Sequence, residues 1–132
     1  MSGRAAYLDT SAFVKLVVSE PESAALQRYM RPWQWKASAA LLRAEALRAL
    51  GRHGQAPVAA ARRLFAGLHL LALDDALLER AGELRPWTLR SLDAVHLAAA
   101  LSVGSDLGVF VTYDDRLAEA ARAQGLEVSS PS

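Results

Sequence analysis

The sequence contains no cysteine, which excludes both a disulfide framework and a thiolate metal site from this 132-residue chain. It also lacks an apolar run long enough to span a membrane, and its first residues lack the basic-then-apolar layout of a secretory signal. These absences predict a cytoplasmic protein with no membrane association. The length is that of one domain, so we expect residues 1–132 to fold as a single unit.

Excess charge is also missing, because the formal net charge is only +1. A balance this small does not by itself indicate nucleic-acid binding. Lysine is scarce as well: Lys15 and Lys36 are the only lysines among 15 basic residues, and the rest are arginine. Since the arginine fork can bind two phosphate oxygens at once, the composition permits a phosphate ligand without requiring one.

Short apolar runs alternate with segments of helical period along the whole chain. Strands are predicted at residues 5–8, 33–37, 70–73, 109–112 and 126–128. Helices are predicted between them, at residues 11–17, 22–29, 39–50, 57–68, 75–83, 92–103 and 116–123. This alternation predicts an α/β protein, a three-layer α/β/α sandwich with a central parallel sheet.

Three local expectations accompany this assignment. Ser38 is predicted to cap the third helix. Trp33 and Trp35 share one face of the second predicted strand, and we expect them in the core or on an oligomer surface rather than stacked on RNA bases. Residues 129–132 are expected to be loose.

The first predicted strand ends in Asp9, and the hydroxyl residues Thr10 and Ser11 follow at once. The pattern predicts a buried strand, an acid at its carboxyl end, and a helix capped by Thr10 or Ser11. In open α/β sheets, ligands bind at the carboxyl ends of strands. An acid is costly to bury there unless a positive charge pairs with it. Asp9 could also be a simple helix cap.

Three further acids occupy comparable places. Glu45 lies in a helix of mainly Leu and Ala, Asp93 lies in the first turn of the most apolar helix, and Asp114 follows a β-branched strand. Each has an ordinary alternative: an ion pair of Glu45 with Arg48, a dipole interaction for Asp93, a helix cap for Asp114. The recurrence of acids at such positions favours a shared acidic site.

Carboxylates gathered in one cleft repel one another unless a cation balances them. Oxygen ligands without a His/Cys cluster favour Mg²⁺ or Mn²⁺ over zinc. Such a site can activate water and stabilise an in-line phosphoryl displacement. The hydroxyls of Thr10, Ser11 and Thr112 could orient that water or a carboxylate. Because side chains two apart in a strand share a face, we expect Asp114, which aligns with Thr112, rather than Asp115 to be the ligand.

The segments 7–11, 92–98 and 111–114, with Glu45 between them, resemble the acidic motifs of PIN-domain ribonucleases. The nearest likeness is to the VapC toxins of toxin–antitoxin pairs, and it covers essentially the whole chain. The resemblance implies a PIN-like fold, divalent-metal-dependent cleavage of RNA, a homodimer, and a VapB-like antitoxin whose tail fills the acidic groove.

Carried over to this sequence, the resemblance also assigns roles to residues. The implied catalytic residues and ligands of Mg²⁺ or Mn²⁺ are Asp9, Glu45, Asp93 and Asp114, and the implied supporting residues are Thr10, Ser11, Thr112 and Asp115. His96 stands one turn from Asp93 but is not a ligand in the family, so we expect it to support the site or to lie in the core.

Other interpretations of the sequence remain open. The chain could be a catalytically inactive PIN-like module that binds RNA or protein, although the intact set of acids argues against a decayed site. A haloacid-dehalogenase-like phosphatase also begins with an acid after its first strand, but it needs a second Asp where Ser11 stands. A receiver domain would need its acceptor Asp after a middle strand, where only the pair Asp74 and Asp75 is available.

Overall fold

The computed structural model describes residues 3–132. Within these residues, five parallel strands form one sheet, namely β1 (Ala5–Leu8), β2 (Trp35–Ala39), β3 (His69–Leu71), β4 (Leu107–Val111) and β5 (Val128–Ser129). Their order is β3-β2-β1-β4-β5, which places β1 at the centre. The helices are α1 (Thr10–Val17), α2 (Ser23–Met30), α3 (Leu42–Gly51), α4 (Gln55–Phe65), α5 (Asp75–Glu83), α6 (Ser91–Ser102) and α7 (Asp115–Ala123).

The central strand β1 is buried along its whole length and supplies both faces of the sheet. Tyr7 packs on one side, against the apolar residues of α5, α6 and α7. Ala6 and Leu8 pack on the other side, against α1 and α2. This division follows from the two-residue period of a strand, and the uninterrupted apolar run is typical of a parallel strand covered on both faces.

A further apolar cluster joins α1 to α3 and α4, and in it the rings of Phe13 and Phe65 stack at 5.2 Å. In the described part of the chain, four helices therefore cover one face of the sheet and three cover the other. The predicted three-layer α/β/α sandwich with a central parallel sheet is confirmed. Within residues 3–132, no helix is long and apolar enough to cross a membrane.

The prediction that Ser38 caps the third helix is wrong. Ser38 lies inside β2, is fully buried, and donates a 2.7 Å hydrogen bond to the carbonyl oxygen of Leu8. The helix begins only at Leu42. Strand pairing with β1 and β3 extends β2 through Ala39, and this tertiary pairing outweighs the local preference of serine for a cap.

The second strand also begins later than predicted, so Trp33 lies outside it. Trp33 packs in the core cluster below α2, whereas Trp35 opens β2 with 56% of its surface exposed. A Cβ atom on Gly108 would clash with the backbone oxygen of Gly3 and would lie only 2.5 Å from the Trp33 ring. Only glycine at this position of β4 therefore allows the indole to approach the sheet so closely.

The prediction of a loose carboxyl terminus is also wrong. Ser130 Oγ donates a 2.5 Å hydrogen bond to the Thr112 carbonyl oxygen, and the Tyr113 hydroxyl donates one of 2.6 Å to the Pro131 carbonyl oxygen. Val128 pairs with Phe110 on the edge of the sheet. These contacts hold residues 128–131 beside the end of β4, close to Asp114.

Candidate active site

Asp9 follows β1 directly and is the residue that caps α1, so the expectation that Thr10 or Ser11 caps this helix is wrong. Its Oδ1 accepts hydrogen bonds from the Ala12 N–H at 3.0 Å and from Ser11 Oγ at 2.7 Å. Its Oδ2 accepts a 2.6 Å hydrogen bond from Thr112 Oγ1. Burial raises the pKa of Asp9, although these hydrogen bonds act in the opposite direction. The side chain is therefore held firmly in one orientation.

The hydroxyls of Ser11 and Thr112 connect the ends of the neighbouring strands β1 and β4. Thr112 is fully buried, and its Oγ1 accepts a 3.1 Å hydrogen bond from the Asp114 N–H. Ser11 Oγ lies 3.4 Å from Thr112 Oγ1 and accepts a 2.9 Å hydrogen bond from the Tyr113 N–H. Both hydroxyls thus fix the acid after β1 and the chain after β4 in one arrangement.

Asp93 lies in the first turn of α6 and is partly buried. Burial raises its pKa, and the carboxylates of Asp114 and Asp9 raise it further, while His96 and Arg90 act in the opposite direction. Mutual repulsion of this kind requires the carboxylates to be near one another. The structure thus brings three of the four predicted acids to the carboxyl edge of β1 and β4.

Asp114 and Asp115 occupy different environments despite being adjacent. Asp114 caps α7, and its Oδ1 accepts a 3.0 Å hydrogen bond from the Leu117 N–H. Its charge also contributes to the raised pKa of Asp93. Asp115 is the first residue of α7 and is exposed. The structure therefore associates Asp114 with the other acids and places Asp115 on the surface of the helix.

Glu45, the fourth predicted acid, lies on α3 and approaches the same edge from the other side of the sheet. Its Oε1 accepts a 2.6 Å hydrogen bond from Thr10 Oγ1 and lies 2.7 Å from His96 Nε2. Its partners are therefore Thr10 and His96, and not the Arg48 considered from the sequence. Burial would raise the pKa of Glu45, but these two hydrogen bonds hold it below its ordinary value.

Tyr7 is a residue of this site that sequence reasoning missed. It is fully buried, and its hydroxyl lies 2.8 Å from His96 Nδ1. Burial raises the pKa of Tyr7 well above its ordinary value, so the hydroxyl keeps its proton. The signal in the sequence that could have found Tyr7 is the two-residue period of β1, which places Tyr7 on the same face of the strand as Asp9.

A divalent ion, which the resemblance implies, fits the chemistry of these donors. They are carboxylate and hydroxyl oxygens, the ligands that Mg²⁺ and Mn²⁺ prefer. The repulsion that raises the pKa of Asp93 is the charge imbalance that a cation relieves. Within residues 3–132, no three acidic or histidine side chains are already arranged to hold one ion. The fit is therefore one of donor type and of charge.

Comparison with known proteins identifies the family. The chain matches the PIN domain model over residues 6–123. It is 52% identical over 128 residues to Ribonuclease VapC46 of Mycobacterium tuberculosis (strain ATCC 25618 / H37Rv), covering 97% of this chain and 98% of that protein. It is 41% identical over 130 residues to Ribonuclease VapC47 of M. tuberculosis (strain CDC 1551 / Oshkosh), covering 95% and 96% respectively.

Two crystal structures share the fold. The M. tuberculosis VapC20 toxin, which cleaves the sarcin–ricin loop, matches with a TM-score of 0.73 at 18% identity over 96% of this chain and 99% of that chain. VapBC2 from Rickettsia felis, bound to a DNA fragment from its promoter, matches with a TM-score of 0.74 at 14% identity over 97% and 99%. The fold is thus that of a PIN domain. The chain belongs to the PIN-domain family, as one of its VapC ribonucleases.

Proposed function

We propose that this chain hydrolyses RNA phosphodiester bonds as the toxin of a VapBC-type pair, with Mg²⁺ or Mn²⁺ held by Asp9, Glu45, Asp93 and Asp114. The observation that carries the proposal is the meeting of acids from β1 and β4, because Thr112 Oγ1 hydrogen-bonds both the Asp9 carboxylate and the Asp114 N–H. Burial, together with the charges of Asp114 and Asp9, also raises the pKa of Asp93. Acids held close enough to repel need a cation to be ionised together at neutral pH. The same proposal treats residues 1–132 as one PIN-like domain.

The residues of the site would have different roles in the reaction. When bound, a divalent ion supplies Lewis-acid stabilisation of the scissile phosphate and a more acidic water. Ser11 and Thr112 hold the Asp9 carboxylate in place through their hydroxyls. Glu45, whose pKa lies below its ordinary value, stays ionised at neutral pH and is therefore available as an anionic ligand of the ion. Arg90, exposed and electrostatically coupled to Asp93, is placed to bind a phosphate of the RNA.

The alternative of a catalytically inactive binding module is not favoured. A module that only binds RNA or protein has no need for three acids close together at one sheet edge. The relatives VapC46 and VapC47 are both named ribonucleases.

A cleavage assay tests the proposal directly. The purified protein is incubated with end-labelled RNA in Mg²⁺ or in Mn²⁺, with and without EDTA, beside the Asp93→Asn variant. Because VapC20 cleaves the sarcin–ricin loop, the RNA set should include an RNA that carries this loop. We expect cleavage that EDTA and Asp93→Asn both abolish. Cleavage that continues unchanged in EDTA would contradict the metal mechanism.

The partner we propose is a VapB-like antitoxin with a tail that occupies the acidic edge. By this name we mean the carboxyl edge of β1 and β4, where Asp9, Asp93 and Asp114 lie. A basic tail would balance the carboxylates of Asp93 and Asp114, which repel each other in the free chain. Expression of this chain alone should arrest growth, and co-expression with the small protein encoded next to it should restore growth. Growth arrest by wild type but not by Asp93→Asn would attribute the effect to the acidic site.

We also propose that the chain forms a homodimer. Exposed large apolar side chains support this, because Leu78 and Trp87 line one groove between α5 and α6, and Leu92 lies exposed on α6. Exposed apolar area of this kind is typical of an interaction surface. Sedimentation equilibrium should give twice the monomer mass, and Trp87→Ala should weaken the association. A wild-type monomer at micromolar concentration would contradict the proposal.

A further inference from the structure

A buried chain of hydrogen bonds runs from the centre of the sheet to the acidic edge. The Tyr7 hydroxyl lies 2.8 Å from His96 Nδ1, and His96 Nε2 lies 2.7 Å from Glu45 Oε1. Tyr7 and His96 expose 0% and 2% of their surfaces, so neither is placed to meet RNA. The three residues belong to β1, α6 and α3, and the chain therefore joins helices from opposite faces of the sheet.

The direction of these hydrogen bonds follows from the acceptor at their end. An ionised carboxylate only accepts hydrogen bonds, so His96 Nε2 must donate to Glu45 Oε1. Where the imidazole is neutral, its other nitrogen is an acceptor and receives the hydrogen of the Tyr7 hydroxyl; where it is protonated, Nδ1 donates to the Tyr7 oxygen instead. In either protonation state, the contact of the Tyr7 hydroxyl with Nδ1 leaves Nε2 as the nitrogen that donates to Glu45.

Packing fixes the rings as firmly as the hydrogen bonds do. The Tyr7 ring stacks on Phe110 at 5.3 Å, with an interplanar angle of 5°. The His96 ring meets the Tyr7 ring edge-on at 5.9 Å, with an angle of 78°. Both hydrogen bonds given to Glu45 go to Oε1, from Thr10 and His96. This pattern leaves Oε2 as the oxygen available to the acidic site.

We propose that His96, held by Tyr7, is a positioning residue that fixes the orientation of the Glu45 carboxylate and directs Oε2 toward the metal site. The inference rests on the proposed function, since it assigns Glu45 to that site. Groups that orient the ligands of a metal ordinarily contribute about 10- to 100-fold to its affinity. A network that only stabilises the fold would change the melting temperature without changing the affinity for metal.

Mn²⁺ affinity measured by the electron paramagnetic resonance of free Mn²⁺ tests the proposal without RNA. His96→Leu keeps an apolar side chain in the space but removes the donor, and should weaken Mn²⁺ binding by about 10-fold or more. His96→Gln restores an N–H donor toward Glu45 and should recover most of the affinity. Tyr7→Phe removes one hydroxyl, keeps the ring stack on Phe110, and should weaken binding by a smaller factor.

Two controls separate positioning from general stability. Tyr29→Phe removes the phenolic hydroxyl of a residue on α2 that lies beside Gly3 and Arg4, at the start of β1 and away from the acids, so Mn²⁺ affinity should stay unchanged. In a Glu45→Gln background, Tyr7→Phe should have no further effect, because the side chain that it positions is no longer a carboxylate. Should His96→Leu fail to fold, Tyr7→Phe in the two backgrounds decides the question.

The outcomes distinguish the inference from the proposed function. Wild-type affinity in both His96→Leu and Tyr7→Phe would overturn the positioning role while leaving the metal site intact. An equal effect of Tyr7→Phe with and without the Glu45 carboxylate would also overturn it. Wild-type protein that binds no Mn²⁺ at millimolar concentration would overturn the proposed metal mechanism, and the positioning role with it.

Discussion

Thr112 Oγ1 donates a 2.6 Å hydrogen bond to Asp9 Oδ2, so the residue that follows β4 holds the acid that follows β1. The two residues are 103 positions apart in the sequence, and they meet because β1 and β4 are neighbouring parallel strands. The same hydroxyl accepts a hydrogen bond from the Asp114 N–H. One buried side chain therefore links two of the four acids of the proposed site.

Thr112→Val should lower both stability and activity. Valine matches threonine in shape, but it leaves Asp9 Oδ2 and the Asp114 N–H without their partner. A lost hydrogen bond to a buried charged group costs about 1.5–3 kcal/mol, so the urea midpoint should fall measurably. Thr88→Val, at an exposed threonine, is the matched control and should leave the midpoint unchanged. Equal stability of the two variants would show that this hydrogen bond contributes nothing.

Asp93→Asn should abolish RNA cleavage while preserving the fold. Asp93 is a cleaner test than Asp9, which also caps α1 and accepts three hydrogen bonds. Loss of one electrostatic contribution of this kind costs about 100-fold or more in rate. Asp75→Asn, at an exposed acid in the first turn of α5, should retain full activity.

The effect of Mn²⁺ on the melting temperature is a second measurement of the Asp93→Asn variant. A ligand that binds only the folded state raises its stability. Mn²⁺ should therefore raise the melting temperature of wild type more than that of Asp93→Asn. A variant that unfolds without metal would instead assign Asp93 a structural role.

The stability of the protein in EDTA should depend on pH through Asp93. The folded-state pKa is raised above its ordinary 3.8, so the stability that protonated Asp93 contributes is present below 3.8 and lost as the pH rises through the raised value. At pH 7, Asp93→Asn should thus be at least as stable as wild type. This advantage should vanish near pH 3.8. Urea unfolding across this range measures the difference, and an advantage that grows on acidification would contradict the assignment.

Asp114→Asn should lose far more activity than Asp115→Asn. Asp114 acts electrostatically on Asp93, whereas Asp115 is exposed on the first turn of α7. Removal of the Asp114 charge should cost about 100-fold or more in the rate at saturating Mg²⁺. Asp115→Asn should change that rate by no more than a small factor. The reverse order would move the fourth ligand by one residue.

The order of strands and helices could be predicted because each of them has a local hydrophobic pattern. Apolar runs such as the one around Tyr7 are short and uninterrupted because a central parallel strand is buried on both faces. An acid that follows such a run must lie at the carboxyl edge of the sheet, so the pattern alone assigns Asp9 and Asp114 to one edge. Glu45 and Asp93 stand out because they are acids in apolar helices.

Partners distant in the sequence account for what could not be predicted. Ser38 has the local pattern of a cap, but its place in β2 depends on pairing with strands at either side. The residues after Ser129 have no regular pattern, but their hydrogen bonds go to Thr112 and Tyr113, which only strand order brings near. The local conformational preference of a residue contributes less to the free energy of folding than the burial and strand pairing that the assembled sheet provides.

By itself, the sequence determined the class of fold, which acids are candidates for the site, and the sheet edge on which most of these acids lie. It could do so because periodicity and strand ends are local properties. Only the tertiary structure decided what each acid touches. The contact of Glu45 with His96 spans 51 positions, and that of His96 with Tyr7 spans 89. Such pairs are set by which helix packs on which face of the sheet, and the packing of α3 and α6 on opposite faces is not written in either segment.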